Sequence, residues 1–154
     1  MFRRLFSANS DGTVSVRLDP AARDLVQSLT EELRELLLVD EADDLRRLYP
    51  TAYPDDPERD SSFRELLHDQ LLMSRLDAID VVQETISREQ LSADEADAWM
   101  STINQIRLVL GTRLDVSEDD RAIDEDDPNA TSHVVYQVLS HLLDELTTAR
   151  SHSL

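Results

Sequence analysis

The sequence predicts a mainly α fold, a helical bundle of about four main helices with a short N-terminal β-hairpin. Three observations carry this. Apolar residues recur at three- and four-residue intervals through most of the chain. Only two glycines, Gly12 and Gly111, and five prolines interrupt 154 residues rich in Leu, Ala, Glu and Arg. Helix-start signatures, Asp-Pro and Ser-x-x-Glu, stand where periodic stretches begin. A chain of this length suits one domain spanning residues 1–154, because it can bury roughly 70% of the surface its unfolded form exposes.

The hairpin comes first, over residues 1–18. Val14, Val16 and Leu18 alternate with Thr13, Ser15 and Arg17 after an Asp11-Gly12 turn, the period of a strand with one face covered. Two strands are marginal alone, so the hairpin is expected to lie on the helices. Asp19-Pro20 then opens a helix, with aspartate as N-cap and proline where its missing N–H costs nothing. Leu25, Leu29, Leu33, Leu36 and Leu37 give its apolar face. A helical turn over residues 44–49 is expected next, followed by a proline-bearing loop over residues 50–60 with Pro50, Pro54 and Pro57.

Ser62 and Glu65 fit a capping box and place the start of a long helix, striped by Phe63, Leu66, Leu67, Leu72, Leu76, Ile79, Val82 and Ile86 to about Arg88. Ser92 and Glu95 form a second box, ahead of Ala96, Trp99, Met100, Ile103, Ile106, Leu110 and Leu114. These two helices are expected to pair as a hairpin. Residues 115–127 form an acidic loop with Glu118, Asp119, Asp120, Asp124, Glu125, Asp126 and Asp127 against Arg121. The last helix, residues 128–150, carries a wide stripe of Val135, Val138, Leu139, Leu142, Leu143 and Leu146. That width leaves homodimerisation open.

Charge bounds the function. Fifteen arginines, with no lysine, face 33 carboxylates for a formal charge of −18, which repels a phosphate backbone and disfavours direct nucleic-acid binding. Arg3, Arg4, Arg17, Arg46 and Arg47 lack the density of a nucleic-acid footprint. With no cysteine there is no thiolate chemistry and no disulfide, and a reducing compartment is the default. No apolar run approaches a membrane span, and the stretch after Arg3-Arg4, from Ser7 to Asp19, is polar and alternating rather than the apolar run of an export signal. A cytoplasmic location is expected.

Chemical motifs are sparse. Glu65 and His68 share one helical face, as in di-iron bundles, but the second copy is missing; His141 and Asp144 reverse the order. The acidic loop puts Asp120 and Asp126 where a calcium-binding EF-hand needs glycine and glutamate. Nucleophile elbows and phosphate loops lack their glycines. No catalytic residue, cofactor or metal is expected. The candidate motif is instead Trp99, Asn104, Arg107, Gly111 and Arg113. Trp99 is expected in the core. Asn104 and Arg107 lie one turn apart beside the apolar stripe, and Arg107 is expected either to pair with Asp77 or Asp80 on the preceding helix or to recognise a partner. Tyr49 and Tyr53 are packed anchors or an exposed interaction surface.

The string from Trp99 through Asn104, Arg107, Gly111 and Arg113 to Leu114, with Leu48 through Tyr53, Asp55-Asp56 and Phe63 to Leu66, resembles an actinobacterial family of oxidative-stress regulators. That family is catalogued as a domain of unknown function and is often encoded beside the ClpS adaptor. The likeness covers nearly the whole chain, and residues 104–114 are its most specific part. It implies a small cytosolic regulator of transcription, tied to redox stress and sulfur metabolism, that contacts an alternative sigma factor or another RNA polymerase component. A second implication, from the ClpS neighbour, is an accessory role in regulated proteolysis. Redox sensing there would need paired cysteines near the N-terminus, which this sequence does not have. The scaffold carries over without the thiol switch.

Overall fold

A computed structural model describes the backbone of residues 4–39, 55–114 and 130–152, and within them the side chains of all but 57, 60–69 and 113. Chain order is β1 (Phe6–Ala8), β2 (Val14–Val16), α1 (Pro20–Val39), α2 (Pro57–Thr85), β3 (Gln90–Leu91), α3 (Ala93–Leu114) and α4 (Ala130–His152). The helical turn expected at 44–49, Tyr49, Tyr53 and the acidic loop of 115–127 lie outside the described residues.

The turn between β1 and β2 forms because Gly12 adopts φ +88°, a left-handed conformation costly for residues with a Cβ. Asn9 N–H donates to the Thr13 carbonyl at 2.9 Å, and the Asp11 carboxylate accepts from the Thr13 N–H at 3.0 Å and its hydroxyl. Phe6 then pairs with Val16 and Ala8 with Val14. A third strand, absent from the expectation, completes the sheet: β3 pairs antiparallel with β2, Val14 opposite Leu91, in the order β1-β2-β3. The inward set Phe6, Val14, Val16, Leu18 and Leu91 is buried.

Asp19 caps α1 as its sequence predicts, its carboxylate accepting from Ala22 N–H at 2.8 Å. The helix is rolled relative to the leucine stripe. Its buried line is Val26, Thr30, Leu33 and Leu37, with Leu29 and Leu36 half-buried. Thr30 can sit there because its hydroxyl donates to the Val26 carbonyl at 2.6 Å, leaving no unpaired polar group. Helix α2 begins at Pro57, five residues before Ser62, so the expected loop ends earlier and Ser62 lies inside the helix. The reason is Asp56-Pro57, which repeats the Asp19-Pro20 signature: Asp56 accepts from Arg59 N–H at 3.1 Å.

The capping box of α3 is reciprocal, with Ser92 N–H donating to Glu95 Oε1 at 2.8 Å and Glu95 N–H to Ser92 Oγ at 3.1 Å. Helix α3 packs against α1, α2 and α4 and is the centre of the fold. Trp99, Ile103, Ile106 and Val109 from α3 meet Ile79 and Val82 of α2 and Leu139, Leu142 and Leu146 of α4 in one core. Strand β1 lies against α4, where Leu5 N–H donates to Glu145 Oε1 at 2.9 Å. Among the described residues no helix is long and apolar enough to cross a membrane.

Candidate functional site

The residues of the candidate motif separate into two roles. Trp99 is fully buried and stands edge-on to Phe6, ring centroids 6.3 Å apart at 76°. Its indole Nε1 donates to the Thr85 hydroxyl at 2.8 Å, joining α3 to α2. Trp99 is therefore architectural, as its helical spacing predicts. Asn104, Arg107 and the buried Gly111 fall along one strip of α3 at intervals of three and four residues. Arg107 Nη2 donates to Asn104 Oδ1 at 3.1 Å, and its buried Nε has no hydrogen-bond partner. The side chain of Arg113 is outside those described.

The pairing of Arg107 with Asp77 or Asp80 does not form. Asp80 is taken by Arg34 of α1, which also donates to Gln83 Oε1 at 2.7 Å. Gln83 in turn donates to Glu31 Oε2 at 2.6 Å. The lock at this point joins α1 to α2, because α1 packs along α2 where Asp80 and Gln83 emerge. Arg107 stays within its own helix.

Among the described residues no group of three or more His, Asp or Glu could hold a metal ion. The side chains of Glu65 and His68 lie outside this description. His141 pairs with Glu145 at 2.8 Å rather than with Asp144, four residues apart being a better reach along a helix than three here. Glu145 thereby holds both His141 and the Leu5 N–H.

Sequence reasoning missed a groove between α4, the start of α1 and the residue before β1. Leu5, Ala22, Val134, Val138 and Leu142 form its apolar surface, and Arg17, Asp19, Gln137 and His141 its rim, enclosing about 480 Å³. Val134 and Val138 are 48% and 38% exposed, although they continue the helical stripe whose other members are in the core. The signal was present in α4: Val134, Val135, Val138, Leu139, Leu142 and Leu143 cover a wider arc than one core contact fills.

A protein-family model described as "Domain of unknown function (DUF2017)" matches residues 3–150. No curated protein and no solved structure matches the chain. With nearly all of its 154 positions inside that match, the chain belongs to the DUF2017 family.

Proposed function

We propose that this chain is a non-enzymatic regulatory protein of the cytosol that acts by contact with a basic surface of another protein. Its partner is an alternative sigma factor or another component of RNA polymerase, in the manner of the oxidative-stress regulators that the sequence resembles. The observation that carries this reading is where the arginines are used. Arg17, Arg23, Arg34, Arg88, Arg107 and Arg150 each donate to acceptors of the chain itself. Arg23 spans Leu18, Ile86 and Arg88 carbonyls, and Arg150 meets Asp97 at 2.7 Å.

Arg34, Arg88 and Arg150 have their charge offset by Asp80, Glu95 and Asp97 of the chain itself, while Asp24, Glu32, Glu35, Asp77, Glu84 and Asp94 are exposed. The resulting surface attracts basic protein and repels nucleic acid, and such attraction raises encounter rates in a salt-sensitive way. Affinity purification from native lysate tests this reading. RNA polymerase subunits or a sigma factor are expected at low salt and reduced at high salt; their absence at both overturns it. A degradation assay with and without the protein separates this role from an accessory function in ClpS-linked proteolysis, since a transcription partner leaves turnover unchanged.

A further inference from the structure

Ser7 and Arg17 meet diagonally across the β1-β2 ladder. Ser7 pairs with Ser15. Arg17, two residues beyond Ser15, reaches back so that its Nη1 donates to Ser7 Oγ at 2.7 Å and to the Arg4 carbonyl at 3.3 Å. The pair stands on the outer face of the sheet, opposite the buried Phe6, Val14 and Val16, with Ser7 half-buried and Arg17 exposed. The other polar groups of that face are engaged with one another: Asn9 and Ser15 exchange bonds at 3.0 and 3.1 Å, and the Thr13 hydroxyl donates to Asp11. A hydroxyl is a neutral acceptor for the Arg17 guanidinium. A phosphoryl group on the same oxygen would offer that cation a near-dianion with three acceptor oxygens, the planar arrangement a guanidinium binds in two places.

The chain around Ser7 carries a second, independent signal. Arg4 is exposed and stands three residues before Ser7, the spacing that arginine-directed serine/threonine kinases read in an extended substrate. Among the serines and threonines whose side chains are described, Ser7 alone has an arginine at that position. Strand β1 is three residues long and lies at the outside of the sheet. Releasing it breaks a short ladder and the Leu5 N–H bond to Glu145 at 2.9 Å, and lifts Phe6 from the core. A kinase therefore reaches Ser7 through a local opening of the hairpin, not through global unfolding.

We propose that Ser7 is a phosphorylation site and that Arg17 holds the phosphate, so that the hairpin is a latch set by phosphorylation. In the reaction the Ser7 hydroxyl oxygen attacks the γ-phosphorus of a nucleoside triphosphate bound to the kinase. The new Oγ–P bond replaces the β,γ-bridging P–O bond, the nucleoside diphosphate leaves, and the hydroxyl proton passes to the kinase's general base. When the strand recloses, the phosphate lies on the outer face and needs no burial. Arg17 leaves the Arg4 carbonyl and grips two phosphate oxygens, tying β1 to β2 by charge as well as by the ladder.

The test uses the full chain, ATP and a calcium/calmodulin-dependent protein kinase, a probe that selects arginine three residues before serine. Peptide mass spectrometry is expected to place the phosphate on Ser7, and total incorporation is expected to fall at least tenfold in Ser7→Ala and in Arg4→Gln. Glu145→Ala, which frees Leu5, is expected to be phosphorylated at least twofold faster. Phosphoserine installed at position 7 is then titrated by phosphorus NMR. Its second ionisation, ordinarily near about 6, is expected about 0.5 or more lower in the otherwise wild-type chain than in Arg17→Gln, with Arg17→Lys between. Amide exchange in β1 and β2 is expected to slow at least threefold on phosphorylation, and to stay unchanged in Arg17→Gln. Circular dichroism confirms that each variant is folded, and Arg17→Lys serves alone where Arg17→Gln is not. No phosphate on the wild-type chain, equal incorporation into Ser7→Ala, or one titration midpoint shared by wild type and both Arg17 variants would overturn the proposal. An unchanged rate in Glu145→Ala would overturn the opening of β1 and with it the latch.

Discussion

The indole N–H of Trp99 donates to the Thr85 hydroxyl at 2.8 Å, and the same hydroxyl donates to the Val81 carbonyl at 2.6 Å. Both residues are buried, so the two bonds satisfy polar atoms that water does not reach and fix the register of α2 against α3. Thr85→Val keeps the shape and removes the acceptor, leaving a buried N–H unpaired at a cost of about 1 to 3 kcal/mol. Trp99→Ala opens the centre of the core and should cost about 3 to 5 kcal/mol. Urea unfolding of both variants checks the order.

Arg107 and Arg34 should respond in opposite ways. Arg107 has a buried Nε with no hydrogen-bond partner, so Arg107→Met should leave stability unchanged or raise it by up to about 1 kcal/mol. Arg34→Ala breaks a bridge whose partners are 24% and 54% exposed, a salt-screened loss of about 0.5 to 1 kcal/mol. Thermal melts at low and high salt distinguish them. A large loss for Arg107→Met would show that this side chain joins helices after all.

Glu145 anchors the hairpin to α4 through Leu5 N–H. Glu145→Ala is expected to cost about 1 to 3 kcal/mol and to speed hydrogen exchange at Leu5, whereas His141→Ala leaves that bond intact. Exchange rates at Leu5 in the two variants are the measurement.

Acid should loosen the β1-β2 turn at low pH. The Thr13 hydroxyl first, and its backbone N–H second, hold the Asp11 carboxyl below its ordinary pKa. A depressed folded pKa means that the contribution is complete above the ordinary carboxylate range and is lost as pH falls through the folded value. Carboxyl-carbon NMR should show Asp11 titrating at higher pH in Thr13→Val than in the wild type.

How far these features could be read in the sequence follows from their physical origin. Asp19-Pro20, Asp11-Gly12 and the Ser92-Glu95 box are local signals, each formed by atoms within a few residues, and all appear where their spacing puts them. Asp56-Pro57 is just as local, but its place among Pro50, Pro54 and Pro57 gives it the pattern of a loop, although it starts α2. Strand β3 has two residues, too few for a period, and exists because Val14 faces Leu91 across the chain. The roll of α1 depends on a threonine that satisfies itself, which a hydrophobicity pattern counts as polar. The partner of Asp80 was chosen by packing of α1 on α2, and no spacing within one helix encodes it. Exposed Val134 and Val138 look like core in a one-dimensional stripe. Only the arrangement of Leu5, Ala22 and α4 makes them a groove.

An acidic chain whose Arg34, Arg88 and Arg150 pair with its own carboxylates is expected to bind a basic protein rather than nucleic acid. Biolayer interferometry of the immobilised chain against RNA polymerase holoenzyme and against duplex DNA, over a range of ionic strength, tests it most directly. A complex with holoenzyme whose association rate falls steeply as salt rises, and no signal with DNA, is the expected result. Binding to DNA, or no complex with holoenzyme at any ionic strength, would contradict it.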